Sequence, residues 1–297
     1  MTDHNIIPEE ERLTQIKQKK AKKSDKNTVD EKKSFSERMK DAFSEQSIKD
    51  FFTGKKALPL LITLASILVL AIAFAIYIGT YYRADSKAIH QFTEEYGTDG
   101  NITVSYDADG NVVVTPNVIK AGFIFYPGGK VEHTAYIPLM IALGNKGILC
   151  VLVDMPCNLA VFDVNAADGI PEQYPEVESW YIGGHSLGGA MAANYLYENT
   201  DKLDGVVLLA AYSTKYLANS RAITICGTED KILNQEKFRK YMPNLPVATE
   251  ETVIPGGNHA YFGMYGEQRG DGEATITAED QIERTANTIE RFILSAK

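Results

Sequence analysis

A serine stands between two glycines in the segment GHSLG at residues 184–188. The preceding run SWYIG is typical of a buried strand, and the following LGGAMAANYLYEN is typical of a helix. On such a strand-to-helix turn the serine hydroxyl is held clear of the sheet, and glycines at 184 and 188 let the backbone turn tightly without side-chain collisions. The pattern predicts that Ser186 is the nucleophile of an acyl-transfer reaction.

A serine hydroxyl becomes a good nucleophile only when a base removes its proton, so a histidine must lie nearby. Four of the five histidines stand in the N-terminal segment, ahead of the predicted sheet, at the start of a helix or beside the serine: His4, His90, His133 and His185. His259, in GGNHAYFG, follows the last predicted strand in a loop. We therefore expect His259 to be the base.

An acid that orients the histidine is expected between the serine and the histidine in chain order, at the end of a strand. The segment GTED, which follows the predicted strand RAITICG, contains two carboxylates. Asp230 is favoured because the Gly-Thr turn leaves two residues of loop before it, and Glu229 remains the alternative.

Acyl transfer also needs N–H donors for the negative oxygen of the transition state. The backbone N–H of Leu187, directly after the nucleophile, is one candidate. The second is expected in YPGGK, where residues without side chains permit close approach. Gly128 and Gly129 are the candidates there, and Lys130 is a further alternative.

These residues need a scaffold that brings distant loops to one edge. Six short apolar runs alternate with helical stretches beyond Pro116: AGFIFYP, GILCVLVD, SWYIGGHS, DGVVLLAA, RAITICG and ETVIPGG. Runs that are apolar on both faces are typical of strands in a buried parallel sheet with helical crossovers. We therefore predict an α/β fold, with a mostly parallel sheet flanked by helices.

Two further patterns bound this domain. ITVSYDADGNVVVTP places β-rich stretches on both sides of an Asp-Gly turn, which predicts an N-terminal hairpin. An amphipathic pattern that begins at Thr277, with Asp280 three residues on, predicts a closing C-terminal helix. The domain is expected to occupy residues 101–297, after a connector at residues 80–100.

The stretches FIFYPGGKVEHTAYIPLM, GGHSLGGAMAANY, GTEDKIL and GGNHAYFG together resemble the small bacterial α/β-hydrolases of the Abhydrolase_5 type, distant relatives of dienelactone hydrolases. The resemblance extends from about Ala121 to the C-terminus. It implies the α/β-hydrolase fold, and it assigns the nucleophile to Ser186, the acid to Asp230 and the base to His259. Dienelactone hydrolases carry a cysteine at the nucleophile position, where this chain has a serine.

The segment between DGVVLLAA and RAITICG has only about ten residues, which leaves no room for a large lid. An open site is therefore expected. Residues in loops at the carboxyl edge of the sheet are candidates for the substrate pocket, namely Gly128, Asn158, Tyr212, Tyr261 and Phe262.

The N-terminal part contains an uncharged apolar run at residues 57–79, ALPLLITLASILVLAIAFAIYIG. As a helix it would cross the ~30 Å hydrocarbon layer of a bilayer, so we predict a single transmembrane anchor. Three lysines lie on its N-terminal side, Lys49, Lys55 and Lys56, which favours a cytoplasmic N-terminus in the cell membrane and an extracytoplasmic hydrolase domain.

Residues 1–56 carry 14 Lys/Arg and 11 Asp/Glu and are predicted to form a charged cytoplasmic tail. Residues 1–34 contain no aromatic residue and little periodicity, which predicts disorder. The apolar residues between Phe35 and Phe52 are compatible with a short amphipathic helix on the inner leaflet or with a solvated tail.

Composition limits the remaining function classes. The formal charge of −9 lies mostly in the main domain, which argues against nucleic acid as a partner. The three cysteines form no CxxC pair, so we predict buried thiols in place of a disulfide framework or zinc site. The sequence contains no GxGxxG, P-loop or HExxH motif, so neither a cofactor nor a catalytic metal is predicted.

The sequence therefore favours a serine hydrolase that cleaves an ester or related acyl substrate, small or lipid-like, through an acyl-enzyme with a Ser-His-Asp triad. Two alternatives remain open. One is a membrane-tethered binding domain that has kept the fold and lost turnover. The other is an acyltransferase that uses the same triad.

Overall fold

The computed structural model describes residues 18, 34–46, 49, 54, 57–97 and 100–295. The other residues lie outside this description. They include the tail before residue 34, except residue 18, and also Ile48, Phe51 and Phe52, so the predictions made for them are outside the described residues. The chain divides into two compact units, Met1–Phe74 and Ala75–Lys297.

Two helices with described bounds precede the connector. One, α1, covers Phe35–Ala42 and coincides with the start of the predicted amphipathic segment. The other, α2, covers Ala57–Gly79. Among the described residues, α2 is the one helix that is long and apolar enough to cross a membrane, judged by length and composition.

The connector contains a helix that the sequence analysis did not predict. This helix, α3, covers Ser86–Tyr96 and begins where the Asp85 carboxylate accepts the N–H groups of Lys87 and Ala88 at 3.1 and 3.0 Å. Phe92 is buried, and Ile89 packs beside it against the core. Only a few of the eleven residues of α3 are apolar, so the helical periodicity of this segment is too weak to predict a helix from the sequence.

An eight-stranded sheet forms the centre of the second unit, in the order β1-β2-β4-β3-β5-β6-β7-β8. Its strands are β1 (Ile102–Tyr106), β2 (Val112–Pro116), β3 (Ala121–Tyr126), β4 (Ile148–Leu152), β5 (Trp180–His185), β6 (Gly205–Leu209), β7 (Arg221–Gly227) and β8 (Glu250–Ile254). β1 and β2 form the predicted antiparallel hairpin, β2 is antiparallel to β4, and the other pairs are parallel.

The connections supply the remaining helices, which are α4 (Ile137–Gly144), α5 (Ile170–Gln173), α6 (Leu187–Glu198), α7 (Gln235–Tyr241) and α8 (Ala278–Leu294). Short 3₁₀ turns cover His133–Tyr136, Pro156–Asn158, Ala160–Phe162, Met242–Asn244 and Ala260–Phe262. At the start of α8 the Thr277 hydroxyl accepts the Asp280 N–H at 3.1 Å, as the capping pattern predicts. The segment from β6 to β7 contains neither a helix nor a lid.

Alternation along the strands builds a core on each face of the sheet. Phe123 and Phe125 pack with α4 and α8 on one face, whereas Ile124 and Tyr126 pack with α6 on the other. These two cores make the predicted three-layer α/β arrangement. All six predicted parallel strands are present, and their carboxyl ends meet at one edge, called here the carboxyl edge.

Candidate active site

Ser186 lies on the turn between β5 and α6 with a left-handed backbone, φ 51° and ψ −118°. Its N–H donates to the Leu209 carbonyl at 2.9 Å, which ties the turn to the end of β6. A Cβ on Gly184 would lie 2.5 Å from the Tyr126 carbonyl oxygen, and one on Gly188 would collide with the backbone of Tyr126 and Pro127. The strained turn thus depends on both glycines, as the sequence indicates.

Ser186 and His259 line the same cavity at the carboxyl edge, which has a volume of about 350 Å³. His259 follows β8, and the two residues are 73 positions apart in the chain. The fold therefore brings together the serine and the histidine that the sequence analysis selected.

His259 and Asp230 form a buried pair. His259 Nδ1 lies 2.9 Å from Asp230 Oδ2, and both side chains are almost inaccessible to solvent. The other oxygen, Oδ1, accepts the N–H groups of Ile232 and Leu233 at 2.9 and 2.8 Å. These bonds fix the carboxylate against the ring, and Nε2 is the ring nitrogen that does not face Asp230.

Glu229, the alternative acid, is placed differently. Its carboxylate accepts the Thr228 hydroxyl at 3.0 Å on the exposed side of the turn. The contact with His259 is made by Asp230, so the geometry favours Asp230 for the acid role.

The candidate oxyanion amides differ in their hydrogen bonds. The Gly128 N–H donates to Tyr136 Oη at 3.1 Å, and the Lys130 N–H donates to the Asn158 carbonyl at 2.7 Å. Within the part of the chain that the structure describes, the Gly129 N–H has no such acceptor. A Cβ on Gly129 would lie 2.8 Å from the Leu187 side chain, so these two residues are neighbours.

The Leu187 N–H is the first amide of α6, and the Ser186 side chain does not cap that helix. The N-terminus of a helix favours negative charge because its first amides point outward without intrahelical partners. Leu187 and Gly129 are therefore the pair of amides best suited to an oxyanion.

Tyr136 and His185, which were not among the predicted site residues, support the site. Tyr136 Oη lies 2.8 Å from His185 Nδ1, and the ring of His185 lies 4.4 Å from the ring of His259. Because Tyr136 already accepts from Gly128, its hydroxyl hydrogen is directed to His185. Burial, and then the charge of His259, hold the pKa of His185 well below its ordinary value, so this ring stays neutral.

The loop that contains His259 is also held from outside the motif. Gln281 of α8 accepts the Asn258 N–H at 3.0 Å and donates to the Asn258 carbonyl at 2.8 Å. Asp271 accepts the Ala260 N–H at 2.9 Å. No local pattern in the sequence marks Gln281 or Asp271, because their partners lie 11 to 23 residues away.

The pocket candidates are dispersed. Tyr212 lines the cavity with Ser186 and stacks on Tyr241 with ring centroids 5.4 Å apart. Tyr261 instead lines a neighbouring cavity of about 360 Å³ with acidic walls. Phe262 is buried, and its ring lies 5.5 Å from that of His185. The Asn158 carbonyl accepts the Lys130 N–H.

The cavity residues that sequence reasoning missed are small or aliphatic side chains, including Ala190, Met191, Ile232 and Leu233. Alanine and leucine carry no chemical signal in a sequence. All three cysteines are free, and the prediction of buried thiols is wrong for Cys157, which is exposed in the 3₁₀ turn of residues 156–158. Among the described residues, no group of three His, Cys, Asp or Glu side chains is placed to hold a metal ion.

Among curated proteins, none matches this chain. A dienelactone hydrolase from Anabaena variabilis is 15% identical, with a TM-score of 0.48 over 65% of this chain and 97% of that one. The protein TT1662 from Thermus thermophilus is 12% identical, with a TM-score of 0.49 over 66% and 99%.

A predicted CIB-like hydrolase from Thermoplasma acidophilum is 12% identical, with a TM-score of 0.45 over 64% of this chain and 99% of that one. The sequence profile of the Alpha/beta hydrolase family, Abhydrolase_5, matches residues 122–283, more than half of the chain. The matched region contains Ser186, Asp230 and His259. The chain therefore belongs to the alpha/beta hydrolase family.

Proposed function

We propose that this protein is a serine hydrolase that cleaves an ester or related acyl bond through an acyl-enzyme. The observation that carries the proposal is that Ser186 and His259 line one cavity, with His259 hydrogen-bonded to Asp230 at 2.9 Å. A nucleophile, a base and an orienting acid in this arrangement are what acyl transfer requires.

In the first half-reaction His259 Nε2 takes the proton of Ser186, and Oγ attacks the carbonyl carbon. The carbonyl oxygen becomes negative and is stabilised by the N–H groups of Leu187 and Gly129. The carbon–oxygen bond to the alcohol then breaks, and His259 returns the proton to the leaving alcohol. In the second half-reaction His259 activates water, which releases the acid and restores the serine.

The groups around His259 favour the positive charge that its ring gains in each half-reaction. Asp230 is buried against His259, so it stabilises the imidazolium that forms in each half-reaction. His185, which packs on the same ring, is neutral and therefore does not oppose that charge.

The test is hydrolysis of p-nitrophenyl butyrate by the full-length protein in detergent. We expect turnover by the wild type and a loss of at least about 10³-fold in Ser186→Ala. Ser105→Ala, an exposed serine on the hairpin, is the matched control and should keep full activity.

Repeating the assay with added butanol separates water from an alcohol acceptor. Hydrolysis predicts butyric acid as the main product, whereas butyl butyrate as the main product would identify an acyltransferase. A folded wild type without turnover would contradict the proposal.

A further inference from the structure

The segment directly after α2, residues 80–85, is called here the strap. Tyr82 lies in it and forms a short parallel bridge with Val131. The Tyr82 N–H donates to the Lys130 carbonyl at 2.8 Å, and the Tyr82 carbonyl accepts the Glu132 N–H at 2.9 Å. The strap is therefore bound to the loop that contains the proposed oxyanion amide of Gly129.

The strap also binds the loop after His259. The Asp85 N–H donates to the Met264 carbonyl at 2.8 Å, and the Arg269 N–H donates to Tyr82 Oη at 3.3 Å. The rings of Tyr82 and Tyr265 lie 5.7 Å apart. Both loops bound by the strap follow the carboxyl ends of strands, β3 and β8, so the strap lies at the carboxyl edge.

This placement fixes how far the end of α2 lies from the candidate site. Tyr82 is the third residue after Gly79, the last residue of α2, and three residues of extended chain span at most about 10 Å. Lys130 makes the contact direct, because its Nζ donates to Thr80 Oγ1 at 3.1 Å and lies 4.2 Å from the centre of the Tyr77 ring. A membrane crossed by α2 would therefore have its surface beside the carboxyl edge.

The same edge presents apolar side chains to solvent. Val161 is 46% exposed, and it follows Asn158, whose carbonyl accepts the Lys130 N–H, by three residues. Tyr81 in the strap is 37% exposed. Apolar groups exposed at a membrane-facing edge gain free energy by entering the interfacial region of the bilayer.

The cavity beside Ser186 has a matching character. Its walls are mainly alanine and aliphatic side chains, and the described residues that line it include no Asp, Glu, Lys or Arg. A charged substituent close to the scissile bond would find no partner there, and burying it unpaired is costly. An uncharged acyl group with an apolar chain fits this lining.

We propose that the substrate is a neutral ester with a long apolar chain that resides in the bilayer crossed by α2 and enters the Ser186 cavity at the membrane surface. This inference rests on the proposed serine-hydrolase function. It adds that substrate is drawn from the membrane, with Val161 and its neighbours in contact with the lipid.

The test uses the full-length protein in phosphatidylcholine vesicles and two probes with the same leaving group. 4-Methylumbelliferyl oleate partitions into the bilayer, and 4-methylumbelliferyl acetate reaches the site from water. We expect Val161→Glu to lower oleate turnover at least about tenfold, since a carboxylate resists entry into the interface, and to leave acetate turnover within about twofold. Val118→Glu, 69% exposed ahead of β3 at the opposite edge, is the matched control and should change neither rate.

A second variant addresses distance and covers the case in which Val161→Glu fails to fold. A helical (EAAAK)₄ spacer between Gly79 and Thr80 keeps the strap and adds about 30 Å between α2 and the domain. We expect it to lower oleate turnover at least about tenfold with acetate turnover within about twofold. The same spacer between Gly54 and Lys55 is the control and should have no effect.

Full oleate turnover in both Val161→Glu and the Gly79 spacer variant would overturn the inference. So would a wild type that hydrolyses the acetate and leaves the oleate in vesicles intact, a result under which the proposed function still stands. A wild type that hydrolyses neither ester would overturn the proposed function together with the inference.

Discussion

The two oxygens of Asp230 have different partners, and this division defines a test at the scale of single residues. Oδ2 faces His259 Nδ1, while Oδ1 is held by two backbone N–H groups after β7. Asp230→Asn keeps the shape of the side chain but removes the charge and disturbs the choice of ring tautomer. We expect kcat for p-nitrophenyl butyrate to fall by about 10³- to 10⁴-fold.

Glu229→Gln is the matched control for Asp230→Asn, because it makes the same chemical change one residue earlier. We expect it to keep kcat within about threefold, since its carboxylate contacts Thr228. Equal losses in the two variants, or a larger loss in Glu229→Gln, would assign the acid role to Glu229.

His185 predicts a dependence of stability on pH. Its pKa in the folded protein lies well below the ordinary histidine value because the ring is buried beside His259. Below pH ~6.5 the unfolded chain binds a proton at this residue and the folded protein does not, so the free energy of unfolding falls as pH falls. His185 alone contributes up to about 1.4 kcal/mol per pH unit to this slope.

The measurement is urea unfolding of the fragment from Thr80 onward between pH 7 and pH 5. His185→Asn should show a shallower loss of stability on acidification than the wild type. His90→Asn changes an exposed histidine and should keep the wild-type slope. Identical slopes in all three proteins would show that His185 takes up its proton equally well in the folded state.

At the scale of elements, the strap predicts where an active fragment must begin. A fragment that starts at Ala84 lacks Tyr82 and with it two backbone hydrogen bonds to the loop of residues 130–132. Compared with a fragment that starts at Thr80, we expect a loss of about 1–3 kcal/mol in unfolding free energy. Its ester turnover should also be lower, because the loop of Gly129 is less well fixed.

Urea midpoints and butyrate turnover of the two fragments check this prediction. A third fragment that starts at Thr80 and carries Tyr82→Phe keeps the backbone bonds and should retain the stability of its parent to within about 1 kcal/mol. Equal stability and activity of the Thr80 and Ala84 fragments would mean that the strap contributes nothing to the site.

Local patterns explain which elements could be predicted from the sequence. The six parallel strands are apolar runs, and the turn at Ser186 is marked by its own two glycines. Each of these features can be recognised from a few consecutive residues. The supports of the site are contacts between distant residues, such as Tyr136 with His185 and Gln281 with Asn258. Short stretches of sequence contain no signal for such pairs. The contacts of the strap with two distant loops could not be predicted for the same reason.

At the scale of the whole molecule, the apolar helix α2 and the lysines before it predict that the hydrolase domain lies outside the cytoplasm. Cys150 and Cys226 are buried and Cys157 is exposed, so a single reporter thiol is easily made. In a Cys157→Ser background, Val247→Cys places a thiol on a fully exposed position ahead of β8. An impermeant maleimide should label it in intact cells, and labelling that requires permeabilised cells would reverse the topology.

The central claim is that Ser186 is a nucleophile activated by His259. Treating the full-length protein with a fluorophosphonate probe, beside Ser186→Ala and His259→Ala, tests it most directly. We expect rapid labelling of the wild type, no labelling of Ser186→Ala, and labelling slowed by at least about 10³-fold in His259→Ala. A folded wild type that does not react, or labelling that survives in Ser186→Ala, would contradict the claim.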